Sequence, residues 1–75
     1  MSDFGFVLQT MKSAGGFRFA RAGWNGKNMY IFMVRPDCDD GLMTLPYLAM
    51  RTAQGEYVPW LASQTDILAE DWEEV

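Results

Sequence analysis

The sequence offers few side chains that could carry out catalysis. It has no histidine, the usual general base, and a single cysteine, Cys38. A protein nucleophile needs a neighbouring base to activate it. Cys38 instead lies in the run Asp37-Cys38-Asp39-Asp40, where the carboxylates disfavour its thiolate. We therefore expect no catalytic residue and no enzymatic activity.

Metal and phosphate-loop chemistry is poorly supported as well. The acidic loop lacks the glycine and glutamate pattern of an EF-hand, and a lone thiol without histidine makes a poor metal site. Gly15-Gly16 follows a predicted helix instead of preceding one, which favours a helix end over a phosphate cradle. The C-terminal acids, Glu70, Asp71, Glu73 and Glu74, are typical of a solvated face. We expect neither a metal nor a cofactor.

Aromatic and polar side chains at turns and strand ends favour binding instead. Aromatic rings stack on nucleobases, arginine forks match phosphate oxygens, and amides and hydroxyls hydrogen-bond to base edges or ribose. The candidate ligand-binding residues are Trp24, Asn25, Lys27, Asn28, Arg51, Trp60, Ser63, Gln64, Thr65 and Asp66. The alternative is that both tryptophans simply pack in the core, since tryptophan is largely buried on average.

Trp24 stands directly before Asn25-Gly26, a dipeptide that strongly favours a two-residue β-hairpin turn. Such a turn places Trp24 opposite Lys27 at the hairpin tip, where water is normally abundant. An indole ring is costly to expose. We therefore predict that Trp24 forms one wall of a ligand pocket, completed by a neighbouring subunit.

The elements that must position these residues indicate an α+β fold in one domain spanning residues 1–75. Apolar residues at helical spacing, with Ser2 or Asp3 as cap, predict an N-terminal helix; they are Phe4, Val7, Leu8 and Met11. Strands are predicted at 17–24, 29–34, 47–52 and 56–60, with a short fifth strand at 71–75. Pro59 marks 56–60 as an edge or bulged strand. The predicted fold is this helix packed on a small antiparallel sheet of four or five strands.

A second, shorter helix is predicted just before the last strand. Ser63 and Asp66 have the spacing of a capping box, which indicates a helical turn over residues 67–70. Trp72, in the closing Glu70-Asp71-Trp72, is expected to be structural.

Size and apolar content indicate an oligomer. A chain of 75 residues with one cysteine can form no internal disulfide, and chains this short bury only roughly 60% of their unfolded surface. Residues 29–34 are apolar on both faces, yet one helix covers one face of a sheet. A net charge of −4 argues against DNA, RNA or an anionic membrane as partner. We expect a soluble protein of a reducing compartment.

Three sequence blocks resemble one family of small phage and prophage domains, associated with the second type of Thoeris anti-defence protein. They are Arg-x-Gly-Trp-Asn-Gly at 21–26, Pro-Trp-x-x-Ser-x-x-Asp at 59–66, and the closing Glu-Asp-Trp at 70–72. The resemblance covers nearly the whole chain. The chain differs from many members of the family in the connection 35–46, which is shorter here.

The resemblance implies a protein that sequesters a signalling molecule, which we call a sponge. Such a protein is a homotetramer that binds a cyclic ADP-ribose-type messenger from an immune TIR-domain protein and sequesters it intact, in the cytoplasm of the infected bacterium. Some relatives also hold cyclic dinucleotides or trinucleotides. Trp24 and Asn25 match the family's pocket motif best, and Trp60 with residues 63–66 match its second block by spacing. Two alternatives remain open: a module that docks a host protein through its aromatic patch, and a small hydrolase that destroys the signal.

Overall fold

The computed structural model describes residues 2–24, 28–36 and 45–75. Within these ranges, five antiparallel strands form one sheet in the order β4-β3-β2-β1-β5. The elements are α1 (Phe4–Ser13), β1 (Arg18–Arg21), a 3₁₀ turn (Ala22–Trp24), β2 (Tyr30–Val34), β3 (Tyr47–Arg51), β4 (Tyr57–Pro59), α2 (Gln64–Leu68) and β5 (Trp72–Glu74). The predicted α+β fold is confirmed, with the fifth strand present.

Helix α1 begins and packs as its sequence predicts. The Asp3 carboxylate accepts a hydrogen bond of 2.8 Å from the backbone N–H of Phe6 and so caps the helix. Phe4, Val7 and Met11 are buried, in the stripe set by their helical spacing. The helix ends at Ser13, and Gly16 then adopts a positive φ of 90° as the chain turns toward β1.

The two faces of the sheet differ because only one of them carries described helices. On the core face, Phe19, Ile31 and Trp72 pack with α1, and each is 2% exposed or less. Alternation along the strands sends their neighbours to the opposite face, which we call the open face. Its residues are Arg18, Ala20, Tyr30, Phe32, Val34, Tyr47, Ala49, Arg51, Tyr57, Pro59 and Glu73.

The first hairpin differs from the prediction. Strand β1 ends at Arg21, and Trp24 lies in the 3₁₀ turn instead of on a strand extending to the hairpin tip. The ladder pairs Phe19 with Ile31, a register that differs by one residue from a two-residue turn at Asn25-Gly26. The expectation of Trp24 at a wet tip was therefore wrong, because its ring packs against the core. Residues 25–27, including Asn25 and Lys27, lie outside the described residues.

The remaining elements match their predictions closely. Strand β4, which contains Pro59, lies at the edge of the sheet. The Ser63–Asp66 capping box is present, and α2 begins directly after Ser63, three residues earlier than predicted. Among the described residues, no helix has the length and apolar character needed to cross a membrane.

Candidate functional site

The two predicted binding blocks meet in a cluster of aromatic rings on the core face. Trp24 packs edge-on against Trp72 with 5.4 Å between ring centroids, and against Trp60 with 6.5 Å. Phe4 closes the cluster, 5.4 Å from Trp72 and 5.9 Å from Trp60. Trp72 is fully buried, whereas Trp24 and Trp60 are half-buried. Core packing therefore accounts for part of each tryptophan's surface, as the alternative interpretation held.

Ser63 and Asp66, in the block at 59–66, make hydrogen bonds that stabilise the fold. The Ser63 hydroxyl accepts a hydrogen bond of 3.1 Å from the Asp66 backbone N–H and donates one of 2.9 Å to its carboxylate. Asp66 also accepts 2.9 Å from Arg21 Nη1, and Asp71 accepts 3.0 Å from Arg21 Nε. These contacts tie α2 to β1. Gln64 and Thr65 are exposed on α2.

The contacts with Arg21 help to lower the pKa of Asp66. Burial pushes the pKa of Asp66 up, but hydrogen bonds from Arg21 and Ser63 outweigh it, so the net pKa lies below the ordinary value. Asp71 and then Asp66 raise the pKa of Arg21, which keeps the guanidinium charged. The pair is therefore ionised at neutral pH.

We predict that Asp66 makes stability fall in acid. Its pKa is lower in the folded chain than in the unfolded one, where it is about 3.9. The contribution is therefore full above that value and is lost as the pH falls through the folded pKa. Urea unfolding at pH 7, 5, 4 and 3 should show Asp66→Asn less stable at pH 7 and less dependent on pH. Equal pH slopes for both chains would contradict the prediction.

Two neighbouring cavities lie at the sheet, one at its end and one on the open face. A cleft of about 290 Å³ is lined by Trp24, Asn28 and Glu73, among others. A larger groove of about 560 Å³ runs over the open face. Arg18 and Tyr30 line both, so the cleft and the groove adjoin at these two residues.

Aromatic rings line the groove. Phe32 lies 5.9 Å from Tyr30 and meets Tyr57 edge-on at 5.6 Å. Ala49, the cross-strand neighbour of Phe32, has the smallest side chain among these and leaves room above it. Tyr57 is 62% exposed. Flat faces around a small floor residue suit a planar ring system such as a nucleobase.

Positive charge borders these rings. The Arg18 guanidinium lies 4.9 Å from the centre of the Tyr30 ring, a cation–π contact. Arg51 pairs across the sheet with both Tyr30 and Tyr57. A hydrogen bond from Tyr57 lowers the pKa of Tyr30, and the charges of Arg18 and Arg51 act in the same direction.

The structure thus divides the predicted site residues. Trp24 and Asn28 line the cleft, and Arg51 lies beside it, donating a hydrogen bond of 2.9 Å to the Asn28 carbonyl. Trp60 lines neither the cleft nor the groove, nor do the residues of the capping box. Asn25 and Lys27 lie outside the described ranges. A ligand role for the predicted residues stays a prediction.

Sequence reasoning missed the open-face aromatics as site residues. Tyr30 and Phe32 stand in a strand that is apolar on both faces, which we interpreted as a subunit interface. Tyr57 and Arg18 showed no motif. The usable signal was the alternation of β2, which places Tyr30 and Phe32 on the face opposite Ile31. In the described part of the chain, no three potential metal-ligating side chains lie together.

The fold and these cavities define a small α+β domain whose open sheet face carries aromatic rings bordered by arginines. Comparison with known proteins agrees with the resemblance in the three sequence blocks. The family model for the Thoeris anti-defense 2-like domain matches residues 2–75, and the chain belongs to this family. Thoeris anti-defense 2 of Bacillus phage SP01 is 37% identical over 83 residues, covering 95% of this chain and 91% of that protein. This membership supports a phage anti-defence role.

Proposed function

We propose that the chain is a sponge. It binds and sequesters, without cleaving, a cyclic ADP-ribose-type immune signal that a bacterial TIR-domain protein makes in the cytoplasm of the infected host. Family membership supports the anti-defence role. The observation that supports the ligand class is the adjoining cleft and groove, which bring aromatic rings, the Arg18 guanidinium and the Glu73 carboxylate together.

Each part of such a messenger has a chemical counterpart on this surface. The purine would stack on the rings over Ala49, where the groove is apolar. Ribose hydroxyls would donate to the Glu73 carboxylate, a common acceptor for ribose in nucleotide sites. The diphosphate requires guanidinium or amide donors. The groove's volume of about 560 Å³ lies within the usual range of small-molecule sites.

Sequestration rather than turnover fits the chemistry of the chain. It has no histidine, and the carboxylates beside Cys38 disfavour a thiolate nucleophile. A sponge works by stoichiometry and needs only tight binding. Cyclic dinucleotides or trinucleotides share the base and phosphate chemistry, so we include them as further candidate ligands.

Assembly into an oligomer, most simply a tetramer, belongs to the same proposal. Aromatic side chains line the groove on the open face, where Tyr57 is 62% exposed, and an exposed aromatic face favours contact with a second copy. A facing copy would complete the walls of the groove. Light scattering at micromolar concentration should give a mass above 8.5 kDa. A stable monomer would contradict the assembly.

A second candidate function is a module that docks a host protein. The observation in its favour is an apolar patch at α2 and the segment before it, where Leu61 is 92% exposed, Leu68 76% and Ile67 46%. Exposed apolar side chains grouped in this way are typical of protein contacts.

Calorimetry separates these candidates. Purified protein is titrated with cyclic ADP-ribose isomers, cyclic dinucleotides and cyclic trinucleotides, with linear ADP-ribose as the control. The sponge predicts saturable binding of at least one cyclic ADP-ribose isomer, and this binding should persist when Leu61 and Leu68 are replaced by serine. Absence of binding across the cyclic ADP-ribose isomers would overturn the sponge and favour the docking module.

A further inference from the structure

The chain's four arginines differ in what their guanidinium groups already contact. Arg21 donates through Nε to Asp71 and through Nη1 to Asp66, so two carboxylates neutralise it. Arg35 donates through Nη2 to the carbonyls of Met11 and Lys12 at 2.7 and 2.8 Å, at the carboxyl end of α1. Both groups are committed to the fold.

Arg18 and Arg51 stand apart because both lie on the open face. The salt bridges found among the described residues involve Arg21 alone, so neither open-face arginine has a carboxylate within 4.0 Å there. Arg18 lines both the cleft and the groove. Arg51 lies in register between Tyr30 and Tyr57. Their charge is available to an anion on this face.

Both guanidinium groups are held in place. Arg51 Nη1 donates to the Asn28 carbonyl at 2.9 Å, and Arg18 is stacked on the Tyr30 ring at 4.9 Å. Gly55 makes room for Arg51, since a Cβ at that position would meet Nη2 at 3.3 Å. An arginine that is already oriented loses less entropy when it binds a ligand.

Neighbouring groups indicate where on this surface the anion belongs. Tyr30 and Tyr57 are the cross-strand partners of Arg51 on either side, and the hydroxyl of each can donate to phosphate oxygens. Glu73 lines the cleft beyond Ala20, its cross-strand partner, where a carboxylate repels phosphate and accepts from ribose. The Glu73 carboxylate therefore favours a ribose hydroxyl over a phosphate in its immediate surroundings.

We propose that Arg18 and Arg51, with the hydroxyls of Tyr30 and Tyr57, form the subsite that binds the diphosphate of the ligand. This inference rests on the proposed function. It assigns the phosphates to the open face and away from Arg21 and Arg35. The hydrogen bond from Arg51 to the Asn28 carbonyl also connects the subsite to the part of the cleft that Asn28 lines.

The test replaces Arg18 and Arg51 singly with glutamine. Lys12→Gln is the control, since it removes the same charge from an exposed position in the last turn of α1. Two probes are titrated: inorganic pyrophosphate, followed by the ¹H–¹⁵N signals of the arginine Nε groups, and the cyclic ADP-ribose isomer that calorimetry finds to bind most tightly. Thermal unfolding of every variant shows whether it is folded.

The subsite predicts that pyrophosphate shifts the Arg18 and Arg51 Nε signals and leaves those of Arg21 and Arg35 unchanged. Each glutamine variant should bind both probes roughly 10-fold to 100-fold more weakly, the loss expected for one charge-assisted contact. Lys12→Gln should bind as the parent chain does. The salt dependence of binding should also be less steep in the two variants.

Failure of the phosphate subsite and failure of the proposed function give different results. If a folded Arg51→Gln and a folded Arg18→Gln both keep full affinity for the messenger, the subsite is overturned while the sponge stands. If the parent chain binds no cyclic ADP-ribose isomer, the proposed function fails, and pyrophosphate still decides the subsite. Shifts confined to Arg18 and Arg51 support it, and their absence overturns it.

Discussion

Replacing Trp72 with alanine is expected to remove a large part of the chain's stability at 25 °C. Trp72 is fully buried and packs against Phe4, Trp24 and Trp60. Its indole N–H also donates to the Asp66 carbonyl at 3.0 Å. Truncating a core tryptophan costs about 3–5 kcal/mol, which is comparable with the total stability of a domain this small, about 4–11 kcal/mol.

Urea unfolding followed by far-UV circular dichroism measures this effect. Trp72→Phe should lie between the parent chain and the alanine variant, because it keeps a ring but loses the hydrogen bond. Leu61→Ala is the control, since Leu61 is 92% exposed and should change stability by less than about 0.5 kcal/mol. A cooperative Trp72→Ala transition within about 1 kcal/mol of the parent chain would contradict the assigned core.

Replacing Trp24 with alanine should lower both stability and messenger affinity. Its ring packs against Trp60 and Trp72, but it is only half-buried, so the stability loss should be about 1–3 kcal/mol, below the full cost for a core tryptophan. It also lines the cleft, and loss of a stacking ring weakens binding by about 1–3 kcal/mol. Calorimetry and urea unfolding on one preparation give both quantities.

Trp60→Ala is the matched control for Trp24→Ala. Trp60 belongs to the same ring cluster and is half-buried like Trp24, yet it lines neither the cleft nor the groove. It should lose stability and keep its affinity for the messenger. Equal losses of affinity in both variants would show that Trp24 acts only through packing, and the cleft would then not be the site.

Local patterns in the sequence predicted most of the fold. Helix α1 follows from the spacing of Phe4, Val7 and Met11, and α2 from the Ser63–Asp66 capping box. The edge position of β4 follows from Pro59, which cannot donate to a second neighbouring strand. These signals act within a few residues, and they survive in the folded chain because tertiary contacts agree with them.

The hairpin shows where local reasoning fails. Asn25-Gly26 favours a two-residue turn, but a two-residue turn would leave Trp24 in water. Contacts with Trp60 and Trp72, which lie far along the chain, draw the ring to the core face, so β1 ends at Arg21. Burial of part of the indole ring stabilises this arrangement. No short-range pattern contains that information.

The site was predicted only in part, for a related reason. Trp24, Asn28 and Arg51 lie at or beside the cleft, but they reach it from separate segments. Tyr57 joins the groove only because β4 pairs with β3 and places it beside Arg51. Cross-strand pairing over long sequence separations creates this surface, and a single sequence does not specify it.

Sequestration is tested most directly by releasing the ligand. The signal made by an activated TIR-domain protein is incubated with a molar excess of the purified chain, filtered to remove free nucleotide, and the retained protein is heated to denature it. We expect the cyclic ADP-ribose-type molecule to be retained with the protein and released intact, with unchanged mass and chromatographic retention. A cleaved product in the released fraction, or intact signal passing freely through the filter, would contradict the account.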